Sequence, residues 1–142
     1  MITPRRRARQ FAVQALYQAQ LNTDASADAV ARHVRDNDLF AKADEALFST
    51  LFFGAHSNRA AYMAEIRPLL DRDENDLNPV EKAVLLMAYH ELAAMPETPY
   101  PVIINEAIEI TKTYGGTDGY KFVNGILDKL AAQLRPNDPP RR

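Results

Sequence analysis

The 142-residue sequence contains no cysteine, so disulfides, thiolate metal ligands and a cysteine nucleophile are excluded. Glycine is scarce, with five residues, which excludes collagen-like chains and chains dominated by flexible linkers. No apolar run approaches the ~20 residues that a membrane-spanning helix needs. The arginine-rich N-terminus is not followed by an apolar stretch, so it does not resemble a secretory signal. We therefore expect a protein of the reducing cytoplasm without a membrane segment.

Motifs that carry enzyme chemistry are also missing. The three histidines, His33, His56 and His90, are scattered and form no metal-binding pair. The glycine-rich segment 115–119 lacks the lysine and the preceding strand of a phosphate-binding loop. We expect no metal, no cofactor and no catalytic residues, because nothing in the sequence favours an enzyme.

Charge is distributed unevenly along a chain whose formal net charge is only −2. Residues 1–20 carry four arginines and no acid, whereas residues 21–100 carry 14 acidic and 7 basic residues. A compact basic end on an acidic body predicts a local anion site, such as one for phosphate. A solvated terminus with surplus charge explains the same pattern equally well.

Hydrophobic periodicity predicts helices and no strands. Thr3 and Pro4 are suited to begin the first helix, and Asn78, Pro79 and Glu81 form the pattern of a capping box at the start of a later one. We expect an all-α fold of about seven helices in two small packed bundles. The predicted helices lie near residues 4–20, 27–34, 41–55, 59–70, 79–94, 101–114 and 119–134.

One domain accounts for the length of the chain. A chain of this size buries about 68–70% of its unfolded surface, which is enough for a core without disulfides or metals. We place this single helical domain at residues 1–136, because the proline-rich end, residues 137–142, is typical of a flexible tail.

Two basic segments that also contain aromatic residues are candidates for contact with RNA. The first, RRRARQFAVQALYQAQ, places four arginines in the first turns of a helix, where cations oppose the helix dipole. A sequence that breaks a local preference often does so at a functional site. Arginine forks suit phosphate oxygens and stack on bases, and short arginine-rich segments often order on RNA.

The second segment is YKFVNG, residues 120–125, at the start of the last predicted helix. Lys121 can meet a phosphate, and Tyr120 or Phe122 can stack on a base. Helical spacing places Phe122 in the core stripe with Val123 and Ile126, and spacing alone favours that interpretation. Each segment is a weak signal alone, but both suit recognition of single-stranded RNA by a helical scaffold.

Four longer segments occur in a distinctive order and spacing: RRRARQFAVQALYQAQ, NPVEKAVLLMAYHEL, PYPVIINEAIEITKTYG and DGYKFVNGILDKLA. Within them, the runs PVIINEAIE and KFVNGILD are the most specific. In these segments the sequence closely resembles the NusB family of bacterial transcription antitermination factors, and the similarity covers most of residues 5–136. The resemblance implies a helical fold of two bundles.

The resemblance also implies a function. Members of the family bind the boxA element of nascent ribosomal RNA leaders together with NusE, a small-subunit ribosomal protein. The pair joins a complex on RNA polymerase that suppresses termination. Members occur as monomers and as homodimers, so the oligomeric state stays open. Two alternatives also stay open: a helical protein–protein adaptor, and an RNA-binding module of the kind fused to RNA methyltransferases.

Site residues follow from the same resemblance. The RNA-binding positions of the family correspond to Arg5, Arg6, Arg7, Arg9, Asp118, Lys121 and Phe122. Tyr17 and Glu81 correspond to positions on the surface that faces the partner and lies next to RNA. Tyr120 departs from the small or polar residue that the family pattern leads us to expect.

Overall fold

The computed structural model describes residues 1–138, which form the all-α fold that the periodicity predicts. The seven α-helices are α1 (Pro4–Leu21), α2 (Ala27–Arg35), α3 (Glu45–Ser57), α4 (Arg59–Ile66), α5 (Pro79–Ala94), α6 (Tyr100–Tyr114) and α7 (Gly119–Leu134). Three short 3-10 turns lie at Asp38–Lys42, Arg67–Leu69 and Glu74–Asp76. Residues 1–138 include no strand and no helix with the length and apolar character to cross a membrane.

The helices pack as two small bundles that share a seam. α1 packs on α2 and α3, while α5 packs on α6 and α7. The bundles meet where α1 and α3 lie against α5. The core is continuous across this seam, and the side chains that expose no surface include Phe48, Phe52, Leu85, Ile104 and Leu127.

Side chains that cap helices explain where two of them begin. The Thr3 hydroxyl accepts a hydrogen bond from the Arg6 amide at the start of α1. The Asn78 side chain accepts from the amides of Val80 and Glu81 at the start of α5. Both predicted caps are confirmed. The Glu81 carboxylate lies against α7, however, so the reciprocal half of the capping box does not form.

Two helix boundaries differ from the predicted ones. The third predicted helix is divided into the 3-10 turn Asp38–Lys42 and α3, because the Asp44 side chain caps α3 by accepting a backbone hydrogen bond. The fourth ends at Ile66 and not near residue 70. Pro68 has no backbone N–H to donate to the α-helical ladder, and the 3-10 turn Arg67–Leu69 follows.

A glycine lets α3 approach α5 closely. A Cβ at Gly54 would lie 2.2 Å from Cε1 of His90, so a larger residue would displace the imidazole. His90 is 8% exposed, and its Nδ1 lies 2.8 Å from the hydroxyl of Tyr62 on α4. The Tyr62 ring also stacks on Tyr89, with centroids 4.2 Å apart. A single histidine therefore connects α3, α4 and α5.

Arg135, the residue after α7, ties the end of the fold to the α5–α6 connection. Its buried guanidinium donates, at distances of 2.7 to 3.3 Å, to the carbonyls of Glu91, Leu92, Met95 and Thr98. Glu91 and Leu92 belong to the last turn of α5, where the carbonyls lack intrahelical donors, and Met95 and Thr98 lie in the connection to α6. Arg135 also pairs with Asp138 at 2.8 Å, within the predicted tail 137–142. Residues 139–142 of that tail lie outside the described part of the chain.

We expect the free energy of unfolding to fall as the pH drops below about 6.5, the ordinary pKa of histidine. Burial lowers the pKa of His90 and of His56. Both therefore stay neutral in the folded state at a pH where the unfolded chain already binds protons. Their contribution is fully present above the unfolded pKa and is lost as the pH falls through the folded pKa. Urea unfolding at about pH 7.5 and about pH 5.5 measures this loss.

The variant His90→Gln isolates the contribution of His90 to this pH dependence. Glutamine occupies a similar space but does not titrate, so the free energy should differ less between the two pH values in the variant than in the wild type. The same difference in both proteins would contradict the assignment to His90.

Candidate nucleic-acid interface

Helix α1 is buried on all sides except one. Ala8, Ala12 and Ala15 expose no surface, because α1 is enclosed by helices of both bundles. Along its middle, the side chains that reach the surface recur at three and four residues, on one face. We call this face the α1 stripe, and it consists of Arg7, Gln10, Gln14 and Tyr17. The stripe carries no acid, in a chain with more acids than bases.

The fold brings carboxylates to the arginines at the start of α1. Asp44 lies 3.7 Å from Arg5, whose side chain is half exposed. Glu106 on α6 accepts from Nε and Nη2 of Arg6, with a shortest distance of 2.6 Å. The hydrogen bond to Glu106 is the main reason that the pKa of Arg6 is raised. The cluster is therefore less positive than its sequence indicates.

Arg9 lies inside the protein. Its side chain is 3% exposed, and Nε and Nη2 donate to the two oxygens of Glu91 at 2.9 and 2.7 Å. Its Nη1 lies 3.5 Å from Glu106. Burial by itself would lower the pKa of Arg9, but the hydrogen bond and charge of Glu91 and the charge of Glu106 raise it. We therefore correct the prediction that Arg9 contacts RNA: its guanidinium is inaccessible and joins α1 to α5 and α6.

Arg7 is the arginine of this cluster with no carboxylate partner among residues 1–138. Its side chain is half-buried, and its buried Nε has no hydrogen-bond partner in that part of the chain. An approaching anion can bind Arg7 without displacing a carboxylate, as it must at Arg5 and Arg6. Arg7 is therefore the arginine most available to a phosphate.

The second predicted segment lies at the start of α7. Nζ of Lys121 is 3.4 Å from Oδ1 of Asp118, and both side chains are largely exposed. The Lys112 ammonium on α6 lies 4.8 Å from the centroid of the Tyr120 ring, and that of Lys121 lies 6.0 Å from it. Tyr120, the departure from the family pattern, thus attracts two ammonium groups to one ring.

Phe122 is half-buried and packs against the core, as its spacing predicts. The guanidinium of Arg72 covers its ring at 4.1 Å from the centroid. Arg72 is also bound to Asp71, whose Oδ1 accepts from Nε at 2.7 Å. A base can reach this face of Phe122 only if Arg72 moves, or it can stack on Arg72 itself. The sequence patterns missed Arg72 because it lies in an acidic connector.

Glu81 is buried between α5 and the start of α7. It is 6% exposed, and a Cβ at Gly119 would lie 2.6 Å from its Oε2, so the glycine makes this approach feasible. Burial raises the pKa of Glu81, and the charge of Arg72 opposes this in part. The Glu81 carboxylate therefore lies against the start of α7. The surface position that the resemblance implies is not where the structure places it.

A groove lies between the α1 stripe, the start of α5 and the end of α6. Its volume is about 290 Å³, and it is lined by Gln10, Val13, Gln14, Tyr17, Val80 and Tyr114. We call it the α1–α6 groove. Tyr114 ends α6 at one side of the groove, and α7 begins five residues later at Gly119, so the groove leads from the α1 stripe towards the connection before α7. The second basic segment, residues 120–125, therefore follows closely after this end of the groove along the chain.

The carboxylates Glu91 and Glu106 were not predicted as part of the site, although both control its arginines. Each lies within a segment that carries the family resemblance, in the runs AYHEL and INEAIE. The available signal was an acidic residue surrounded by apolar residues at helical spacing, which needs a cation as partner when buried. The sequence could not indicate which cation that is.

Comparison with known proteins gives a consistent result. The sequence model of the NusB family matches residues 6–132. A transcription antitermination protein NusB of Neisseria meningitidis serogroup B is 67% identical over 142 residues, covering 100% of both chains. Its namesake in Chromobacterium violaceum is 56% identical over 138 residues, 97% of this chain and 93% of that protein. A solved structure of T. maritima NusB matches with a TM-score of 0.82 at 35% identity, covering 96% of each chain.

We expect Arg9→Ala to destabilise the fold and Arg7→Ala to leave it nearly unchanged. Removal of Arg9 leaves Glu91 without its buried partner, and breaking a buried ion pair in this way costs about 3–5 kcal/mol. Arg7 has no ion pair to lose, so its truncation should change the free energy of unfolding by less than about 1 kcal/mol. Urea unfolding at neutral pH compares the two variants, and equal losses would contradict the assigned roles.

Proposed function

The chain belongs to the NusB family of transcription antitermination proteins, and we propose that it binds the boxA element of nascent ribosomal RNA leaders. In this proposal it acts in the cytoplasm with NusE, and the pair joins a complex on RNA polymerase that suppresses termination. Family membership supports the antitermination role, and the arrangement of the α1 stripe supports RNA as the ligand. The proposed activity is binding without turnover.

The observation that carries the proposal is Arg7, half-buried on a stripe without acids and without an ion-pair partner among residues 1–138. A phosphate oxygen binds this guanidinium directly, and the release of counterions from the RNA makes the affinity depend on salt. At Arg6, the phosphate must compete with Glu106, and at Arg5 with Asp44. This competition weakens binding to an isolated phosphate and favours a strand that also contacts the rest of the surface.

The start of α7 supplies the second contact of the proposal. Lys121 and Lys112 offer ammonium groups beside Tyr120, and Asp118 opposes the approach of phosphate. Phe122, with Arg72 over its ring, offers a plane for base stacking. The predominantly acidic remainder of the chain repels RNA from other faces. A single strand that spans both contacts is therefore bound in preference to shorter or misplaced RNA.

Of the two residues expected at the surface that faces NusE and RNA, we keep Tyr17 as a direct contact and reassign Glu81. Tyr17 is half-buried on the α1 stripe and remains a proposed contact at the surface shared by NusE and RNA. Glu81 is buried, so we assign it to positioning α7 and not to direct contact. Titration of boxA RNA with and without NusE, alongside light scattering, tests the partnership and measures whether the protein is a monomer or a homodimer.

The same titration distinguishes the alternatives. An adaptor that binds only protein gives no shift of boxA RNA in a gel, whereas the proposed function requires one. An assay for methyl transfer on the isolated chain tests for the activity of the enzymes to which related modules are fused. We expect an RNA shift without methyl transfer, and no shift at any protein concentration would refute the proposal.

The double variant Arg6→Ala with Arg7→Ala should weaken boxA binding and flatten its salt dependence. Each lost phosphate contact reduces the slope of log affinity against log salt by about 1. Because Glu106 already engages Arg6, we expect Arg7→Ala alone to account for most of the loss. Fluorescence anisotropy at several salt concentrations measures the slope. Arg32→Ala removes an exposed arginine on α2 as a control, and an unchanged slope in the double variant would refute this assignment.

The variant Asp118→Asn should tighten boxA binding. It removes a negative charge beside the phosphate and releases Lys121 from its exposed ion pair. Exposed pairs contribute about 0.2–1 kcal/mol, so we expect affinity to rise by about 1.5- to 5-fold. Glu97→Gln also removes one negative charge, but in the connection that follows the C-terminal end of α5, and it serves as the control. Equal or weaker affinity of Asp118→Asn at fixed salt would contradict the prediction.

A further inference from the structure

The polar side chains around the α1–α6 groove have no partners within the described fold. Among residues 1–138, nothing forms a hydrogen bond, ion pair or aromatic contact with the side chains of Gln10, Gln14, Tyr17 or Tyr114. Tyr114 is 53% exposed at the end of α6. Two amides and two phenol rings therefore surround an apolar floor, formed by Val13 and Val80, without bonding to the protein.

The groove lies beside the phosphate contact proposed for Arg7. Gln10 and Gln14 follow Arg7 by about one and two turns on the α1 stripe. Tyr17 follows it by about 15 Å along the helix axis. A strand that binds Arg7 through a phosphate and continues towards α7 therefore passes over the groove.

The size and chemistry of the groove favour a nucleobase over a protein helix. Its volume of about 290 Å³ lies at the lower limit of pockets that hold a small organic molecule. A docked helix inserts several apolar anchors along a longer groove. Glutamine amides both donate and accept hydrogen bonds, as a base edge requires, and tyrosine rings provide stacking surfaces. The lining carries no charge, whereas the arginines and lysines at its two ends attract the RNA backbone.

We infer that the α1–α6 groove is a subsite for one unpaired RNA base. The base stacks on Tyr114, and the amides of Gln10 and Gln14 bind its edge. The inference rests on the proposed binding of RNA and adds a selective contact to it. Arginine contacts to phosphate fix the position of a strand but carry no sequence information, whereas contacts to a base edge do.

Titrations of boxA RNA with the wild type, Tyr114→Ala and Tyr114→Phe test the subsite at fixed salt. Tyr114→Ala should bind about 5- to 160-fold more weakly, the range expected for one base stacked on an aromatic ring. Tyr114→Phe keeps the ring and should retain most of the affinity. The salt slope should not change in either variant, because neither loses a charge. Leu39→Ala truncates another exposed apolar side chain, 46% exposed, and should leave affinity unchanged.

A set of boxA RNAs that each lack one base identifies the base that is bound. At one position, removal of the base should weaken binding to the wild type by the same factor as Tyr114→Ala. The wild type and Tyr114→Ala should then bind the RNA that lacks this base with equal affinity. A constant loss across the whole set, or no loss, would overturn the inference. Loss of NusE binding with normal RNA binding would show a protein-docking groove and overturn it too.

These outcomes are distinct from failure of the proposed function. In each of them, the wild type still binds the intact boxA RNA, and only the role of the groove is refuted. If the wild type does not bind boxA RNA at all, the proposed function fails, and the inference about the groove fails with it.

Discussion

The buried ion pair between Arg9 and Glu91 links the interior of the fold to the surface at which we propose that RNA binds. It joins α1 to α5, so it fastens together the two bundles at their seam. Both carboxylate oxygens are bound by one guanidinium, which satisfies two charges that could not otherwise be buried. Glu106 extends this network to Arg6 at the surface. The interior packing of α1 and the electrostatics of its exposed end are therefore a single system.

This arrangement explains how an acidic chain can present a selective anion surface. Carboxylates bind Arg5 and Arg6, and only the remaining guanidinium of the exposed cluster, Arg7, has no such partner in residues 1–138. Because carboxylates neutralise part of its charge, this arginine cluster has little affinity for a lone phosphate. In our proposal, affinity accumulates only when one strand contacts Arg7, the α1–α6 groove and Lys121 together. Selectivity thus arises from the spacing of modest contacts and not from a large positive field.

Much of the fold followed from periodicity because apolar side chains at helical spacing have few other ways to be buried. The last helix, Gly119–Leu134, has the boundaries predicted for it, since a glycine-rich turn precedes it and its apolar stripe is unbroken. The end of α4 was missed because Arg67 keeps helical backbone angles before Pro68, and the 3-10 turn Arg67–Leu69 extends the apolar pattern of the helix. Phe122 was predicted only in part. Its helical spacing predicts that it packs against the core, as it does, but the sequence does not indicate that Arg72, from a distant connector, covers its ring.

The helical class, the helix caps, the family resemblance and the residues from which an RNA surface can be built were all predictable from the amino-acid sequence. These depend on local spacing and on side-chain chemistry, which neighbouring residues specify. Which arginine is buried, which are paired and which has no partner among residues 1–138 became evident from the folded structure alone. The carboxylates that neutralise them come from the residue before α3, from α5 and from α6, tens of residues away. Coulombic interactions and burial depend on distance in space, so four arginines within five positions acquire different roles only after the chain has folded.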